Sequence, residues 1–481
     1  MKLTGHLLIG AQEVSATAGT MKALNPATNT EIEPSFALGG PAEVDRAAQL
    51  ADDAFDSFNN SSLADRAAFL ERIADGLEAI TAELAQRISL ESGLPVAQLE
   101  GETAKAATQF RQFATVVRQG RFRQAAIDPA QPERQPRARM DHRLQKIALG
   151  PVAIFGASNF PISYSVAGGD TASALAAGCP VILKAHNAHP GGSELMGRVI
   201  QQAVKDAGLH EGVFSLVRGG GNEIGEALVE HPLIKGVTFT GSEVGGMALY
   251  RRAQLRPDPI PVFTEMTSVN PTFILPAALA ARGAEIGDGF AERMLVTVGQ
   301  ACLKPAILLA VDGPGYVDLK NAMIARVQAM QARTMLTPGI NSAYRKNVER
   351  QSNAGAQLIA AGGEAHRPWD GQSVLFEVDG AQMLADATLG QEVFGPAALL
   401  VRVSDTEQLI TLAKQFQGQL SATMQIDQAD HALAARLLPI LDVARVASRS
   451  TRSRIPKKCP TRRFTAGLFL QRQTAVLPRW A

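Results

Sequence analysis

The chain has 481 residues, 46% of them hydrophobic, and carries a net charge of +1. That length supports two or three domains, each with its own core. The balanced charge gives no electrostatic case for a nucleic-acid or membrane partner. No run reaches the ~18 apolar residues of a membrane span, and the start is too briefly apolar for a signal peptide. Three widely spaced cysteines, Cys179, Cys302 and Cys459, form neither a disulfide framework nor a zinc pattern, so a reduced, cytoplasmic setting is expected.

In chain order, residues 1–60 begin with short extended pieces and a turn at Asn25–Asn29, followed by a helical pattern from Glu43 to Phe58. Three more helices are expected at Ala64–Thr81, Glu83–Glu91 and Gln98–Gln119, because apolar residues recur there at spacings of three and four. Residues 121–147 break the pattern with Pro129, Pro132 and Pro136 among polar residues. This stretch reads as an exposed oligomerisation arm or a plain linker.

A regular alternation follows. Strands are expected at Pro151–Gly156, Pro180–Lys184, Val213–Val217, Gly236–Thr240 and Ile260–Phe263. Helices fall between them around Ser165–Ala177, Gly192–Ala207, Asn222–Glu230 and Val244–Arg252. Strands alternating with helices specify a doubly wound parallel sheet, which binds ligands beyond the carboxyl ends of its strands. A second α/β alternation starts after Pro271. Its expected strands are Thr272–Leu275, Ala306–Val311, Val374–Glu377 and Ala397–Val403. Its expected helices are Gly287–Val298, Val317–Arg333, Ser342–Ala361 and Asp427–Leu438. The domains are therefore expected at 1–120 with 148–263, for dinucleotide binding, and at 264–441, for catalysis.

The stretch Thr297–Lys304 carries Cys302 on a turn before a strand. A thiol there is either a small buried hydrophobe or a nucleophile facing a cleft. Asn159, in the turn after the first strand of the parallel sheet, can donate to an oxyanion or satisfy its own turn. Glu265, at an apolar strand end, reads as a general base or as a surface carboxylate. Lys184 can bond ribose hydroxyls or phosphate, or simply be a solvated strand end. The run Gly219–Gly221 fails the G-x-G-x-x-G fingerprint because Ile224 stands where the third glycine belongs. Phe239-Thr240-Gly241-Ser242 ends the next strand, and Gly245 and Gly246 open the helix after it. This is either a place where a pyrophosphate can approach free N–H groups or an ordinary tight turn. His186 and His189 lack acidic partners, so no metal is expected.

Together, Gly156-Ala-Ser-Asn-Phe-Pro161, Lys184, Phe239-Thr-Gly-Ser242, Glu265-Met, Gly299-Gln-Ala-Cys302 and Glu392-Val-Phe-Gly-Pro396 resemble the aldehyde dehydrogenase superfamily. The stretches Ser163–Pro180, Lys184–Pro190 and Glu265–Pro271 are similar to its α-ketoglutarate semialdehyde (2,5-dioxovalerate) dehydrogenase branch. Most of the superfamily has Gly-Gly where this chain has Thr267-Ser268.

The resemblance implies an α/β fold with a doubly wound cofactor domain and a second α/β catalytic domain. It implies NAD(P)-dependent oxidation of a small aldehyde, most closely 2,5-dioxopentanoate, to the acid through a thioester. Cys302 would be the nucleophile, Asn159 the oxyanion donor and Glu265 the base for hydrolysis. Lys184 and Glu392 would hold the riboses, with Phe394 beside the nicotinamide and Ser242 on the pyrophosphate. Asn187 stands where many NAD-specific members have Glu, which admits NADP as well as NAD. Arg111, on a helix lining the entrance in the family, is the candidate for a substrate carboxylate; the alternative is a solvated helix-face arginine. A homo-oligomer is implied.

The chain departs from the branch at Ala301, Leu303 and Ala306, and after Leu441. From Val443 to Ala481 there are ten Lys/Arg and no Asp/Glu. Such a run is expected to be too polar to join a sheet, and its composition suggests a changed reading frame or a basic tail for an acidic surface. Three alternative readings follow: a dehydrogenase of another semialdehyde or aliphatic aldehyde, a catalytically impaired dinucleotide-binding paralogue, and a Cys-dependent acyl hydrolase.

Overall fold

The computed structural model describes residues 2–15, 18–443 and 448–451. They form two compact units, one from residues 2–24 and 31–266, the other from 25–30 and 267 onward. The junction lies between Met266 and Thr267, and the 121–147 stretch belongs to the first unit.

The first unit is built on a seven-stranded sheet. Its order is Val262–Glu265, Gly236–Thr240, Val152–Phe155, Val181–Lys184, Phe214–Val217, Leu7–Ile9 and Gln12–Val14. The first five strands are mutually parallel, and the Leu7–Ile9 and Gln12–Val14 hairpin closes one edge antiparallel. Every residue of Val152–Phe155 and Phe214–Val217 is buried, as strands covered on both faces must be. The register sets Phe155 beside Lys184, Lys184 beside Val217 and Thr240 beside Glu265. The carboxyl ends of the parallel strands therefore line up. Glu265 is the last residue of its strand rather than a residue beyond it.

Four helices precede this sheet: α1 (Pro41–Asn59), α2 (Leu63–Ala79), α3 (Thr81–Ser92) and α4 (Val96–Gln119). Their ends carry the signals that the sequence offers. Pro41 occupies the first turn of α1, Ser62 caps α2 by accepting from the Asp65 N–H, and α3 and α4 stop at left-handed Gly93 and Gly120. The expected helix around Ser165–Ala177 starts only at Gly169. Residues 157–168 form a tight loop, in which a Cβ on Gly168 would come 2.9 Å from the carbonyl oxygens of Ser163 and Ser165.

The second unit has its own seven-stranded sheet, ordered Gln357–Ala361, Val374–Asp379, Ala397–Val403, Ile307–Val311, Thr272–Ile274, Ala422–Gln425 and Ser448–Thr451. Only the Gln357–Ala361 edge is antiparallel. Alternation along the strands separates two cores. Phe273, Ile307, Leu309, Phe376, Leu399 and Val401 face one side, while Ile274, Leu308, Ala310, Leu375 and Leu400 face the other. Burying each large side chain contributes about 1.5–3 kcal/mol.

Several expectations are corrected here. The helix expected over Ser342–Ala361 ends at Asn353, because left-handed Gly355 turns the chain back into the Gln357–Ala361 strand. The helix expected at Gly287–Val298 is Pro276–Met294 followed by a short 3₁₀ turn. The Ala422–Gln425 strand was not expected. Nor was Ser448–Thr451, which pairs parallel with it despite a sequence thought too polar for a sheet; edge pairing needs only backbone groups. The rest of the basic tail beyond this strand, with Cys459 and the suggested frame change, lies outside the described residues.

Candidate active site

In the first unit, the loop after Val152–Phe155 carries Asn159, which is 9% exposed. A buried carboxylate on α4 holds that loop. Glu102 Oε1 accepts from the Ile162 N–H at 2.9 Å, the Ser163 N–H at 2.8 Å and the Ser163 hydroxyl at 3.1 Å. From the other flank, His189 Nε2 lies 3.1 Å from the Ala157 carbonyl oxygen. The His186 and His189 rings stack at 5.8 Å. Burial pushes His186 down to about 3 and His189 to about 4, with His189 and Lys184 adding to the first shift. Both imidazoles are neutral packing groups at neutral pH. No cluster of metal-binding side chains occurs among the described residues.

Lys184 ends its strand, and burial, reinforced by the Arg218 charge, lowers its pKa. Asn187 donates from Nδ2 to the Gly219 carbonyl at 3.0 Å, while its Oδ1 is buried with no protein hydrogen-bond partner. Such an acceptor fits a ligand hydroxyl. Ser242 caps the helix Glu243–Gln254, its Oγ accepting from the Gly245 N–H at 3.2 Å. The Gly241 N–H donates to the Glu265 carbonyl at 3.0 Å, and a Cβ on Gly241 would come 2.7 Å from the Phe239 ring. The Thr240–Ser242 turn and the end of the Glu265 strand are thus one connected piece. Glu265 itself is 8% exposed.

Arg111 sits apart from this group. Its guanidinium is bound by Glu78 at 2.5 and 2.8 Å and by Asp75 at 2.8 Å, all on exposed helix faces. A substrate carboxylate would have to displace two resident ones.

In the second unit, half-buried Cys302 follows a strained turn. Thr297 and Val298 have φ of 54° and 55°, a region costly for β-branched residues. Gly299 continues the left-handed path because a Cβ there would lie 2.1 Å from the Gly395 carbonyl oxygen. The turn is locked by fully buried Gln300, which donates to the Thr297 carbonyl and accepts from the Leu336 N–H. Asn270, itself at φ 47°, donates to the Cys302 carbonyl at 2.8 Å and the Lys304 carbonyl at 2.9 Å.

Lys304 joins the cysteine loop to the Glu392–Pro396 turn. Its buried ammonium donates to the carbonyls of Val393, Gly395 and Ala397 at 2.7, 2.9 and 3.1 Å. Burial pushes Lys304 down to about 8, against the attraction of Glu392. Burial likewise pushes Glu392 up to about 7, opposed by Lys304, the Thr267 hydroxyl and the Ser268 N–H. Of the Thr267 and Ser268 donors, only the Thr267 hydroxyl depends on the departure from Gly-Gly, because the Ser268 donor is a backbone N–H. Phe394 is half-buried on the same turn.

The structure thus gathers Cys302, Glu392 and Phe394 on two linked loops of the second unit, and Lys184, Asn187, Gly241, Ser242 and Glu265 at strand ends of the first. The supporting residues Glu102, Asn270, Gln300 and Lys304 were assigned no role from sequence. Asn270 and Lys304 lie inside motif stretches already singled out, and an Asn before Pro271 with a Lys in an otherwise apolar run was the available signal.

The chain thus has two α/β units on largely parallel sheets, one with polar and glycine residues at its strand ends and one with a half-buried thiol on a loop. The family model "Aldehyde dehydrogenase family" matches residues 14–444, and the chain belongs to that family. It is an oxidoreductase that converts aldehydes to acids with NAD(P). It is 50% identical over 444 residues to alpha-ketoglutaric semialdehyde dehydrogenase 2 of Azospirillum brasilense, covering 92% of this chain and 85% of that one. It is 39% identical over 442 residues to the alpha-ketoglutaric semialdehyde dehydrogenase of Acinetobacter baylyi, covering 91% and 83%. Among solved structures, an NAD-dependent benzaldehyde dehydrogenase from Corynebacterium glutamicum superposes with a TM-score of 0.78 at 22% identity, covering 93% and 94%. Among the described residues, no helix is long and apolar enough to cross a membrane.

Proposed function

We propose that this enzyme oxidises 2,5-dioxopentanoate (α-ketoglutarate semialdehyde) to 2-oxoglutarate. The observation that carries this reading is the 50% identity, over 92% of the chain, to a relative named for that substrate. The Cys302 thiolate attacks the aldehyde carbon, and the Asn159 amide and the Cys302 N–H hold the resulting oxyanion. The dinucleotide, when bound, accepts the hydride. A thioester remains on Cys302, and Glu265 takes a proton from the water that cleaves it, releasing the acid and restoring the thiol.

Lys184 and Glu392 would hold the two riboses, Ser242 and Gly241 would serve the pyrophosphate, and Phe394 would serve the nicotinamide. The cofactor is NADP or NAD, and Asn187 is the residue that meets the distinguishing 2′ position. Asn187 Nδ2 gives one of its two N–H donors to Gly219, which leaves Oδ1 and the second N–H for the adenosine ribose. The oxygen accepts from a 2′-hydroxyl and the remaining N–H donates to a 2′-phosphate, so this neutral amide admits both cofactors.

Oligomerisation through the 121–147 arm completes the proposal. The arm is an exposed hairpin of Ala126–Asp128 and His142–Leu144, with Ile127, Met140, Leu144 and Ile147 all more than 60% exposed. Cytoplasmic residence is proposed from the cysteine pattern alone.

The test is NAD(P)H formation with 2,5-dioxopentanoate, succinate semialdehyde, glutaraldehyde and propanal, each with NAD and NADP. Turnover that prefers the oxo-acid and vanishes in Cys302→Ala is expected. Cofactor binding without turnover would instead establish the impaired paralogue.

A further inference from the structure

We infer that Lys105 is the cation that recognises the substrate's carboxylate and so sets the enzyme's preference for an acid-bearing aldehyde. The inference rests on the substrate reading proposed above and assigns a residue to it that neither motif nor family likeness supplies. It starts from a comparison of the three cations on α4. Arg111 is held by Glu78 and Asp75, and Arg118 by Glu71 in a two-bond pair at 2.5 and 2.6 Å. Lys105 forms no ion pair among the described residues.

Lys105 is also the one that faces the loop bearing Asn159. Its Nζ lies 4.9 Å from the centroid of the Tyr164 ring and 5.6 Å from that of Phe160, both within the range of a cation–π contact. The two rings are 5.5 Å apart and tilted by 53°, so they form an angled wall behind the ammonium. Phe160 directly follows Asn159. The wall does not depend on the lysine for its position. Glu102, three residues earlier and hence on the same side of α4, pins Ile162 and Ser163 within the same loop.

The chemistry follows from that placement. An aromatic face orients an ammonium without consuming its N–H donors, and it removes part of the hydration and rotamer freedom that make an exposed lysine a weak partner. Those donors can engage a carboxylate. In 2,5-dioxopentanoate the carboxylate sits at the opposite end of a five-carbon chain from the aldehyde. A substrate whose aldehyde oxygen meets Asn159 would extend past Phe160 toward Lys105. Glu102, the carboxyl nearest in sequence, feels the attraction of Lys105, but its Oε1 is already engaged by the Ile162 and Ser163 N–H groups and the Ser163 hydroxyl.

The experiment compares kcat/KM for 2,5-dioxopentanoate with that for pentanal, a neutral aldehyde of the same length, in the full-length enzyme and in Lys105→Met and Lys105→Arg. The expected result is a fall in the oxo-acid/pentanal ratio of about 10- to 100-fold in Lys105→Met, the span of one charge-assisted hydrogen bond, carried by KM for the oxo-acid. Lys105→Arg is expected to restore most of it. If the unsubstituted enzyme shows no preference for the oxo-acid, the substrate reading fails first. If it shows that preference and Lys105→Met keeps the same ratio, or both substrates lose activity equally, the assignment of Lys105 is overturned.

Discussion

The side-chain amide of Asn270 donates to the carbonyl of Cys302 at 2.8 Å, so a residue 32 positions upstream fixes the backbone of the nucleophile. The same amide reaches the Lys304 carbonyl, and its Oδ1 accepts from Ser268 and Ser421. Asn270 also takes φ 47°, which Asn tolerates better than Ala. Asn270→Ala should therefore lose all five of these side-chain hydrogen bonds and add backbone strain, together about 3 kcal/mol or more. Urea denaturation followed by tryptophan and circular-dichroism signals measures the loss. A variant as stable as the parent would show that the Cys302 loop is held by other contacts.

Lys304 should prove as consequential as any residue that touches substrate. In Lys304→Met the three carbonyls of Val393, Gly395 and Ala397 lose their donor, and Glu392 loses its neighbouring charge. A destabilisation of about 3 kcal/mol or more is expected. KM for the cofactor should rise as the Glu392–Pro396 turn loosens. Steady-state kinetics with the cofactor varied will show this, and an unaltered cofactor KM in a folded Lys304→Met enzyme would argue against the link.

Cofactor affinity should depend on pH through Glu392. Its folded pKa is raised from the ordinary 4.5 to about 7. The folded protein retains a proton there that the unfolded chain releases, so stability falls as pH rises from 4.5 through 7. Lys304, lowered from 10.5 to about 8, contributes the reverse slope, with stability recovered between 8 and 10.5. Only the ionised carboxylate accepts fully from ribose hydroxyls. Calorimetric titration with NAD should show affinity increasing as pH rises through about 7, and Glu392→Gln should flatten that rise.

The two described cysteines should differ sharply in reactivity. Cys179 is 3% exposed, and burial pushes its thiol up despite backbone N–H donors at Gly150 and Leu149. Cys302 is half-buried on its loop. Iodoacetamide at neutral pH should label Cys302 first, as read by peptide mapping, and turnover should fall in step with that labelling. Cys179→Ala should retain activity, whereas Cys302→Ala should have none.

Much of this molecule was legible in the amino-acid order. Parallel strands of the first sheet such as Val152–Phe155 and Phe214–Val217 are buried along their whole length, so each reads as a short apolar block between helical periods. Cys302, Glu265, Asn159 and Lys184 stood out because charged, amide or thiol groups at strand ends are chemically conspicuous. What local pattern could not encode was partnership. The helix read through Ala361 failed because Gly355 redirects the chain to an edge of the Val374–Asp379 strand, and Ala422–Gln425 is recognisable as a strand only beside Thr272–Ile274. Arg111 looked available until Glu78 and Asp75, more than 30 residues away, closed on it. Glu102 meets Ile162 across 60 residues, and Lys304 meets Gly395 across 91. Periodicity determines which face of an element turns inward. The partner that a buried polar group finds there is decided only when distant segments pack together, because its hydrogen bonds must be satisfied by whatever the tertiary fold brings within 3 Å.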